Sequence, residues 1–283
     1  MKDNRAFICH GGLGDLYVQL LQIKDLEPEV CDVYYCDELG VHIKDINALY
    51  SSQSEIKNIY FKRIKHTPDF LEKQKQELLQ QYSEVIILDS KITNISTAKS
   101  KIQLPNFKWK KKFITINTGA GNFNLPETAP HNVNRRWPRE TQDKLINHLT
   151  KFGFHIVLLG KRNAATKNVF PTLHSKVVDA RDKNIIDQLN FIKHAALNIG
   201  FEGFTLKASV SFQKLTIVRN NLPLFDLKKK NIYYLDELAY KNMYVVDNYK
   251  FNNLLPILIL LALVKEQPSF VTNIGLRKKE LYE

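Results

Sequence analysis

FICHGGLGDLYVQLLQIKDL (residues 7–26) indicates an α/β fold, because an apolar run ends in a glycine cluster and a helical pattern begins at once. A strand that turns through Gly11, Gly12 and Gly14 into a helix is typical of the first unit of an α/β domain. Such a turn lies at the carboxyl edge of a parallel sheet, where open α/β sheets bind their ligands. Glycine lets the backbone approach a ligand, and the helix start offers N–H groups to an anion. We therefore expect Gly12 and Gly14 to contribute to a binding site.

Asp15 follows the glycine cluster directly and has two interpretations. A carboxylate at a helix N-terminus is favoured by the helix dipole and can cap the helix. The same carboxylate can act as a general base that projects from the sheet edge into a cleft between domains. The sequence leaves both roles open.

Two common nucleotide-binding motifs do not fit the sequence. The dinucleotide fingerprint requires a third glycine where Tyr17 stands. Gly160-Lys161 is not part of a P-loop, because Arg162 follows where serine or threonine is required. The sequence also contains no Asp-x-Asp, no HExxH and no Cys/His metal spacing. We expect no bound metal and no cofactor.

Apolar runs alternate with amphipathic segments along the chain, which predicts α/β units with parallel sheets. In the first half we expect strands at 5–9, 31–36, 57–63 and 84–88, and helices at about 14–25, 42–51 and 68–82. After a polar, basic stretch we expect strands at 113–117, 155–159, 176–179, 197–200 and 214–218, and helices at about 139–152, 184–195, 204–212 and 254–264. A chain of 283 residues suits two such domains.

The composition describes a soluble globular protein with a strong positive charge. The chain is 44% hydrophobic, and its net charge of +12 favours polyanionic partners: nucleotide phosphates, nucleic acid or an anionic membrane surface. The three cysteines form no CxxC pair, which indicates buried thiols in a reducing cytosol. The longest apolar run, 254–264, is too short for a transmembrane segment, and no signal peptide precedes the first strand.

A second candidate site follows the strand at 113–117. Thr118 and Gly119 stand at its carboxyl end and can hold phosphate oxygens through a hydroxyl and a backbone N–H. Arg135 or Arg136, in the loop beyond, can neutralise the phosphate charge with charge-assisted hydrogen bonds.

Two further strand ends carry polar residues to the same predicted edge. Lys161 follows the strand at 155–159. The strand at 197–200 leads into Glu202 and Gly203 and then a helix. Glu202 suits a ribose, and Thr205 at the helix start suits a phosphate, although a capped helix with a turn glycine explains the same residues.

The sequence resembles the heptosyltransferase-type glycosyltransferases of family 9. The resemblance rests on GGLGDLYVQLLQIKDL (11–26), on INTGAG followed by RRWPRETQDKLINHLTKFGFHIVLLGKRN, and on the acidic helix start EGFTLKA (202–208). It covers most of 7–26 and 113–220. Lys207 stands where the family usually has histidine, and Phe204 replaces a small or apolar residue.

The resemblance implies an α/β fold of the GT-B class, with two Rossmann-like, doubly wound domains that face each other across a cleft. The boundaries would be an acceptor-side domain over 1–95, a linker over 96–112, a nucleotide-sugar-binding domain over 113–250, and a C-terminal helix and tail over 251–283.

The resemblance also implies roles for single residues. Asp15 corresponds to the proposed base, Arg135 or Arg136 to the phosphate-binding residue, and Glu202 to the ribose-side acid. Lys207 would lie with the donor-binding residues.

We therefore expect an inverting, metal-independent glycosyltransferase that uses a nucleoside-diphosphate sugar. The acceptor would be a lipopolysaccharide or another anionic surface glycan or glycolipid, reached by a cytoplasmic protein that associates peripherally with the inner membrane. Two alternatives remain open at this point. One is a glycosyltransferase of the phage type that acts on a hydroxylated DNA base, and the other is a non-catalytic module that binds nucleotide sugars. A methyltransferase is more distant, because VYYCDE (33–38) offers no convincing ribose ligand.

Overall fold

The computed structural model describes residues 4–38, 40, 42–65, 67–89, 101–119, 139–161, 175–201, 203–220 and 242–247. The first half contains β1 (Arg5–His10), α1 (Leu13–Asp25), β2 (Cys31–Cys36), α2 (Ile43–Ser51), β3 (Ile56–Lys62), α3 (Pro68–Leu78) and β4 (Glu84–Ile87). The second half contains β5 (Phe113–Asn117), α4 (Arg139–Lys151), β6 (His155–Leu159), β7 (Val177–Asp179), α5 (Ile185–His194), β8 (Leu197–Gly200), α6 (Phe204–Ser211), β9 (Thr216–Asn220) and β10 (Met243–Asp247).

The strands form two sheets, one in each half of the chain. The strand order is β3-β2-β1-β4 in the first sheet and β10-β9-β8-β5-β6-β7 in the second. Every strand pair that the structure describes is parallel. The predicted α/β class with parallel sheets is confirmed, and the carboxyl edges of both sheets lead into the glycine turns.

Helices α1 and α6 lie at the junction of the two halves, and their burial reflects that position. Residues 16–24 of α1 and 206–211 of α6 are all buried. A helix that is buried all round belongs inside a protein rather than on one face of a sheet. One apolar cluster runs from Phe7 on β1 through Leu20 on α1 to Ala208 on α6. The two halves therefore share a continuous core at this junction.

Tyr17 is the main side chain that joins α1 to α6. It is fully buried, and its ring meets the ring of Phe204 edge to face, with the centroids 5.5 Å apart. Its hydroxyl lies 2.6 Å from the Ser211 hydroxyl. Because the Ser211 proton is donated to the carbonyl of Ala208, the Tyr17 hydroxyl is the donor to Ser211. A buried tyrosine is thus satisfied across the junction.

The three cysteines are free and buried, as the sequence predicts. Burial raises the pKa of Cys31 and of Cys36 to about 12, and that of Cys9 further. These thiols stay protonated at neutral pH and pack as small apolar side chains.

Two predicted boundaries are corrected by local contacts. Helix α3 ends at Leu78 and not at 82, because the backbone turns there and the Tyr82 hydroxyl donates to Asp32 on β2. Strand β9 begins at Thr216 and not at 214, because a turn with Gln213 at φ 55° precedes it. The predicted helix at 254–264 lies outside the described residues.

The predicted connector is described from residue 101. Residues 101–112 form neither helix nor strand but pack on the core, with Ile102 buried and the Phe107 ring stacked on His194. The proposed domain boundaries stay predictions.

Candidate active site

Asp15 lies in the first turn of α1 and is held at both carboxylate oxygens. The Gly12 N–H donates to Oδ2 at 3.1 Å, and the Lys207 ammonium on α6 donates to Oδ1 at 2.9 Å. About 35% of the Asp15 side chain is exposed, against 5% for Lys207. Capping, one of the two roles that the sequence leaves open for Asp15, is therefore present. A buried cation on the other half of the chain also contacts this carboxylate.

The two glycine turns meet where α1 and α6 begin. A Cβ atom on Gly14 would come within 3.1 Å of the Phe204 backbone nitrogen and within 3.3 Å of Lys207 Cδ. Both distances are tighter than ordinary contacts, so only glycine fits at this position without displacing α6. Gly11 is required for a different reason, because its φ of 93° lies in the left-handed region. The glycine cluster thus brings the start of α1 against the start of α6.

The carboxyl end of β5 forms the next part of the site. The Asn117 side-chain amide donates to the Thr205 hydroxyl on α6, and its oxygen accepts from the Gly119 N–H at 3.2 Å. Thr118 is buried, and its hydroxyl donates to the Leu159 carbonyl at 3.3 Å. Through these contacts Thr205, Thr118 and Gly119 belong to one continuous edge.

Lys161 leaves the end of β6 and reaches the first half of the chain. Its ammonium lies 2.8 Å from Asp45 Oδ2, on the first turn of α2. Burial of Asp45 acts to raise the pKa of its carboxyl, but the His42 and Lys161 side chains together outweigh burial and hold that pKa below its usual value. The Lys161 side chain is about 39% exposed, so it can also meet a ligand from solvent.

The structure brings together most of the residues that the sequence suggests. Gly14, Asp15, Gly203 and Lys207 surround the junction of α1 and α6, and Thr118, Gly119 and Thr205 lie on the adjoining edge. Arg135, Arg136 and Glu202 lie outside the described residues. Their proposed roles, like those of the described donor-site residues, stay predictions.

Asn117 and Asp45 also belong to this site, although they are not among the residues predicted from the sequence. Asn117 is the last residue of β5 and directly precedes Thr118. This position at a strand end is the sequence feature from which Asn117 could have been predicted as a site residue. Asp45 is an acid in the first turn of α2, and its link to Lys161 depends on tertiary packing that no local pattern shows.

Within the described ranges, no group of three or more His, Cys, Asp or Glu side chains has the arrangement of a metal site. Across the same ranges, no helix is long and apolar enough to cross a bilayer.

Two parallel, Rossmann-like sheets joined through helices at their carboxyl edges define the GT-B class of fold. No protein-family model and no curated protein sequence matches this chain. Among solved structures, the chain is similar to a family 9 glycosyltransferase from Veillonella parvula, with a TM-score of 0.55 and 12% identity over 87% of each chain.

Two Escherichia coli structures are similar to this chain over almost their whole length. One is an ADP-heptose LPS heptosyltransferase II, with a TM-score of 0.56 and 11% identity over 92% of this chain and 97% of that one. The other is heptosyltransferase WaaC with ADP, with a TM-score of 0.57 and 9% identity over 92% of this chain and 99% of that one. The resemblance seen in the sequence motifs therefore extends to the fold, which is that of the heptosyltransferase-like GT-B proteins.

Proposed function

We propose that this protein is an inverting, metal-independent glycosyltransferase that moves a sugar from a nucleoside-diphosphate sugar to a hydroxyl acceptor. The observation that carries the proposal is the position of Asp15. Its carboxylate is partly exposed, fixed at both oxygens, and set where the carboxyl edges of the two sheets meet. Open α/β proteins bind ligands at that edge.

The proposed chemistry is a single displacement. The acceptor oxygen attacks the anomeric carbon while Asp15 takes the hydroxyl proton, and the bond from that carbon to the diphosphate oxygen breaks. The electron pair of the broken bond leaves with the nucleoside diphosphate. Attack opposite the leaving group inverts the anomeric configuration.

The donor diphosphate would bind along the second sheet. Thr205 and the N-terminus of α6 offer a hydroxyl and backbone N–H groups, and Gly119 adds the turn after β5. Lys161 supplies positive charge at the same edge. Arg135 or Arg136 would meet the phosphates, and Glu202 the ribose. Fixed donors and cations stabilise the charge that develops on a departing diphosphate.

The acceptor is proposed from charge and from the structural neighbours. A net charge of +12 suits an anionic acceptor such as a lipopolysaccharide or another surface glycolipid. A neighbour described as an ADP-heptose LPS heptosyltransferase supports that class, and one solved with ADP supports an ADP-sugar as the first donor to test. The protein would work from the cytoplasm, peripherally at the inner membrane.

Thermal unfolding with ADP, UDP, GDP, CDP, S-adenosylmethionine and NAD tests the donor class. A ligand at about 100 times its Kd adds about 2.7 kcal/mol to the free energy of unfolding, which raises Tm by several degrees in a protein of this size. One nucleoside diphosphate should raise Tm, and S-adenosylmethionine and NAD should not. A response to S-adenosylmethionine or NAD alone would contradict the proposal.

Turnover assays then test the reaction and the acceptor. The donors are nucleotide sugars that contain the nucleoside diphosphate found to raise Tm. Truncated lipopolysaccharide and DNA with hydroxymethylated bases are supplied separately, and release of the nucleoside diphosphate is followed. Release that depends on lipopolysaccharide supports the proposed acceptor. Release that depends on the DNA, and that falls steeply with salt, would replace it with the DNA-base alternative.

A further inference from the structure

Lys207 is a buried lysine that crosses from one half of the chain to the other. Its side chain is 5% exposed, and its ammonium lies 2.9 Å from Asp15 Oδ1, although the two residues are 192 positions apart in sequence. Burying an ammonium is costly unless it is paired and hydrogen-bonded. The contact with Asp15 therefore supplies Lys207 with an opposite charge at this place in the core.

The position of the Lys207 stem is fixed by its surroundings. Its backbone N–H donates to the Gly203 carbonyl at 3.1 Å, in the first turn of α6. Its Cδ lies so close to Gly14 that a Cβ there would approach it to 3.3 Å. The ammonium is consequently directed at α1 and reaches the carboxylate from the buried side.

Asp15 is thus held from two directions while part of it faces solvent. The Gly12 N–H fixes Oδ2, Lys207 fixes Oδ1, and about a third of the side chain is exposed. A carboxylate clamped in this way keeps one rotamer and one orientation toward a group that arrives from solvent. Proton transfer needs such alignment, since a misplacement of about 1 Å can lower a rate about 100-fold.

We infer that Lys207 is a positioning residue that orients the Asp15 carboxylate for proton abstraction. The inference rests on the proposed function, in which Asp15 is the base. Lys207 itself does not contact the acceptor or the sugar in this account. When Asp15 takes the acceptor proton, Lys207 retains its own protons and its charge, and Asp15 later loses the proton to solvent.

The test is steady-state kinetics of Lys207→Met and Lys207→Arg with the donor and acceptor identified by turnover. Lys207→Met keeps the apolar stem and removes the ammonium, so kcat should fall about 10- to 100-fold while the donor KM changes less than about threefold. Lys207→Arg restores a cation and should recover part of kcat. If Lys207→Met does not fold, Lys207→Gln, which supplies an uncharged N–H donor, takes its place, and its kcat should lie below that of Lys207→Arg.

Lys24→Met is the matched control. Lys24 is also buried, on α1, and its ammonium pairs with Glu55 at 2.5 Å, but the pair is not part of the site. Lys24→Met should lose stability while keeping wild-type kcat. The comparison separates the general effect of losing a buried ion pair from the specific effect of losing the Lys207–Asp15 pair.

Four results would overturn the inference. Wild-type kcat in Lys207→Met would show that Asp15 does not need the Lys207 ammonium for activity. A raised donor KM with unchanged kcat would make Lys207 a donor ligand. An active Asp15→Asn variant, or a wild-type protein that turns over no donor, would remove the proposed function and the inference together. Loss of activity in Asp15→Asn with full activity in Lys207→Met would remove the inference alone.

Discussion

Lys161, two residues after the end of β6, donates to Asp45 on α2, with Nζ and Oδ2 2.8 Å apart. The lysine that we propose to bind the donor phosphates is thus paired with a carboxylate of the other half of the chain. The contact joins the two halves at a second place, separate from the α1–α6 junction. In the proposed function, the diphosphate would compete with Asp45 for this cation.

Asp45→Asn should tighten nucleotide binding, because the negative charge of Asp45 then no longer competes with the diphosphate for Lys161. We expect the Kd of the stabilising nucleoside diphosphate to fall about threefold, and Lys161→Met to raise it about tenfold, in line with 1.4 kcal/mol per factor of ten. Isothermal titration calorimetry at constant ionic strength measures both. Glu140→Gln, which removes a carboxylate paired with Lys144 on the exposed face of α4, is the control and should leave Kd unchanged. Weaker binding by Asp45→Asn would mean that Asp45 orients Lys161 instead of competing for it.

Gly14→Ala should reduce both stability and activity. The added Cβ would lie 3.1 Å from the backbone nitrogen of Phe204, which cannot rotate away. Crowding of this kind lowers the free energy of unfolding by about 1–3 kcal/mol, and the higher helix propensity of alanine offsets at most about 1 kcal/mol of that loss. We therefore expect a net loss of about 1 kcal/mol by urea unfolding and a lower kcat, because α1 and α6 separate and Asp15 moves relative to Lys207.

Gly153→Ala controls for the loss of stability in Gly14→Ala. Gly153 has φ 90°, but a Cβ there meets no atom within 4 Å. Its alanine variant should lose stability through backbone strain and keep kcat. Equal kcat in the two variants would contradict a role for the α1–α6 contact in activity.

Tyr17→Phe should lower the free energy of unfolding by about 1 kcal/mol, because it removes the hydrogen bond that the phenol donates to Ser211. The ring and its packing against Phe204 remain, so the structure should not change otherwise. Chemical denaturation is the measurement. Tyr60→Phe, at a side chain about 40% exposed, is the control and should change stability by less than about 0.5 kcal/mol. An unchanged stability in Tyr17→Phe would mean that this bond contributes nothing across the junction.

Much of the fold could be predicted because local patterns determine it. The strands at 31–36, 113–117 and 155–159 agree with the observed β2, β5 and β6, since buried parallel strands are short apolar runs between turn residues. The glycine turn before Asp15 likewise marked the start of α1, and the cap on Gly12 followed from an acid in the first turn.

The contacts between the halves could not be predicted in the same way. The pairs Asp15–Lys207 and Asp45–Lys161 join residues more than 100 positions apart, and helical periodicity does not specify which helix meets which. Gly14 illustrates the difficulty. Its position in the sequence suggests that a ligand lies against its backbone. In the structure, the absence of a side chain at Gly14 also allows α6 to pack closely against α1.

Stability should fall at alkaline pH because of the buried thiols. Burial raises the pKa of Cys31 and Cys36 to about 12 in the folded protein, against about 9 for the free thiol. The contribution of these two thiols to the free energy of unfolding is fully present below about pH 9. It declines as pH rises toward 12, because the thiols of the unfolded chain lose their protons at lower pH than those of the folded protein. Urea unfolding at pH 7.5, 9, 10 and 11 should show the decline. The Cys31→Ala/Cys36→Ala variant should show a shallower dependence on pH, and an identical slope would contradict the assignment.

Asp15→Asn tests whether Asp15 is the base, and kcat is the quantity to measure. Asparagine keeps the size of the side chain and an oxygen that can accept from Gly12, but it cannot take a proton. We predict that kcat falls by about 10²- to 10⁴-fold while the Kd of the donor nucleotide stays within about threefold. Asp37→Asn, at the end of the neighbouring strand β2, should retain activity and serves as the control. Full transferase activity in Asp15→Asn would contradict the account.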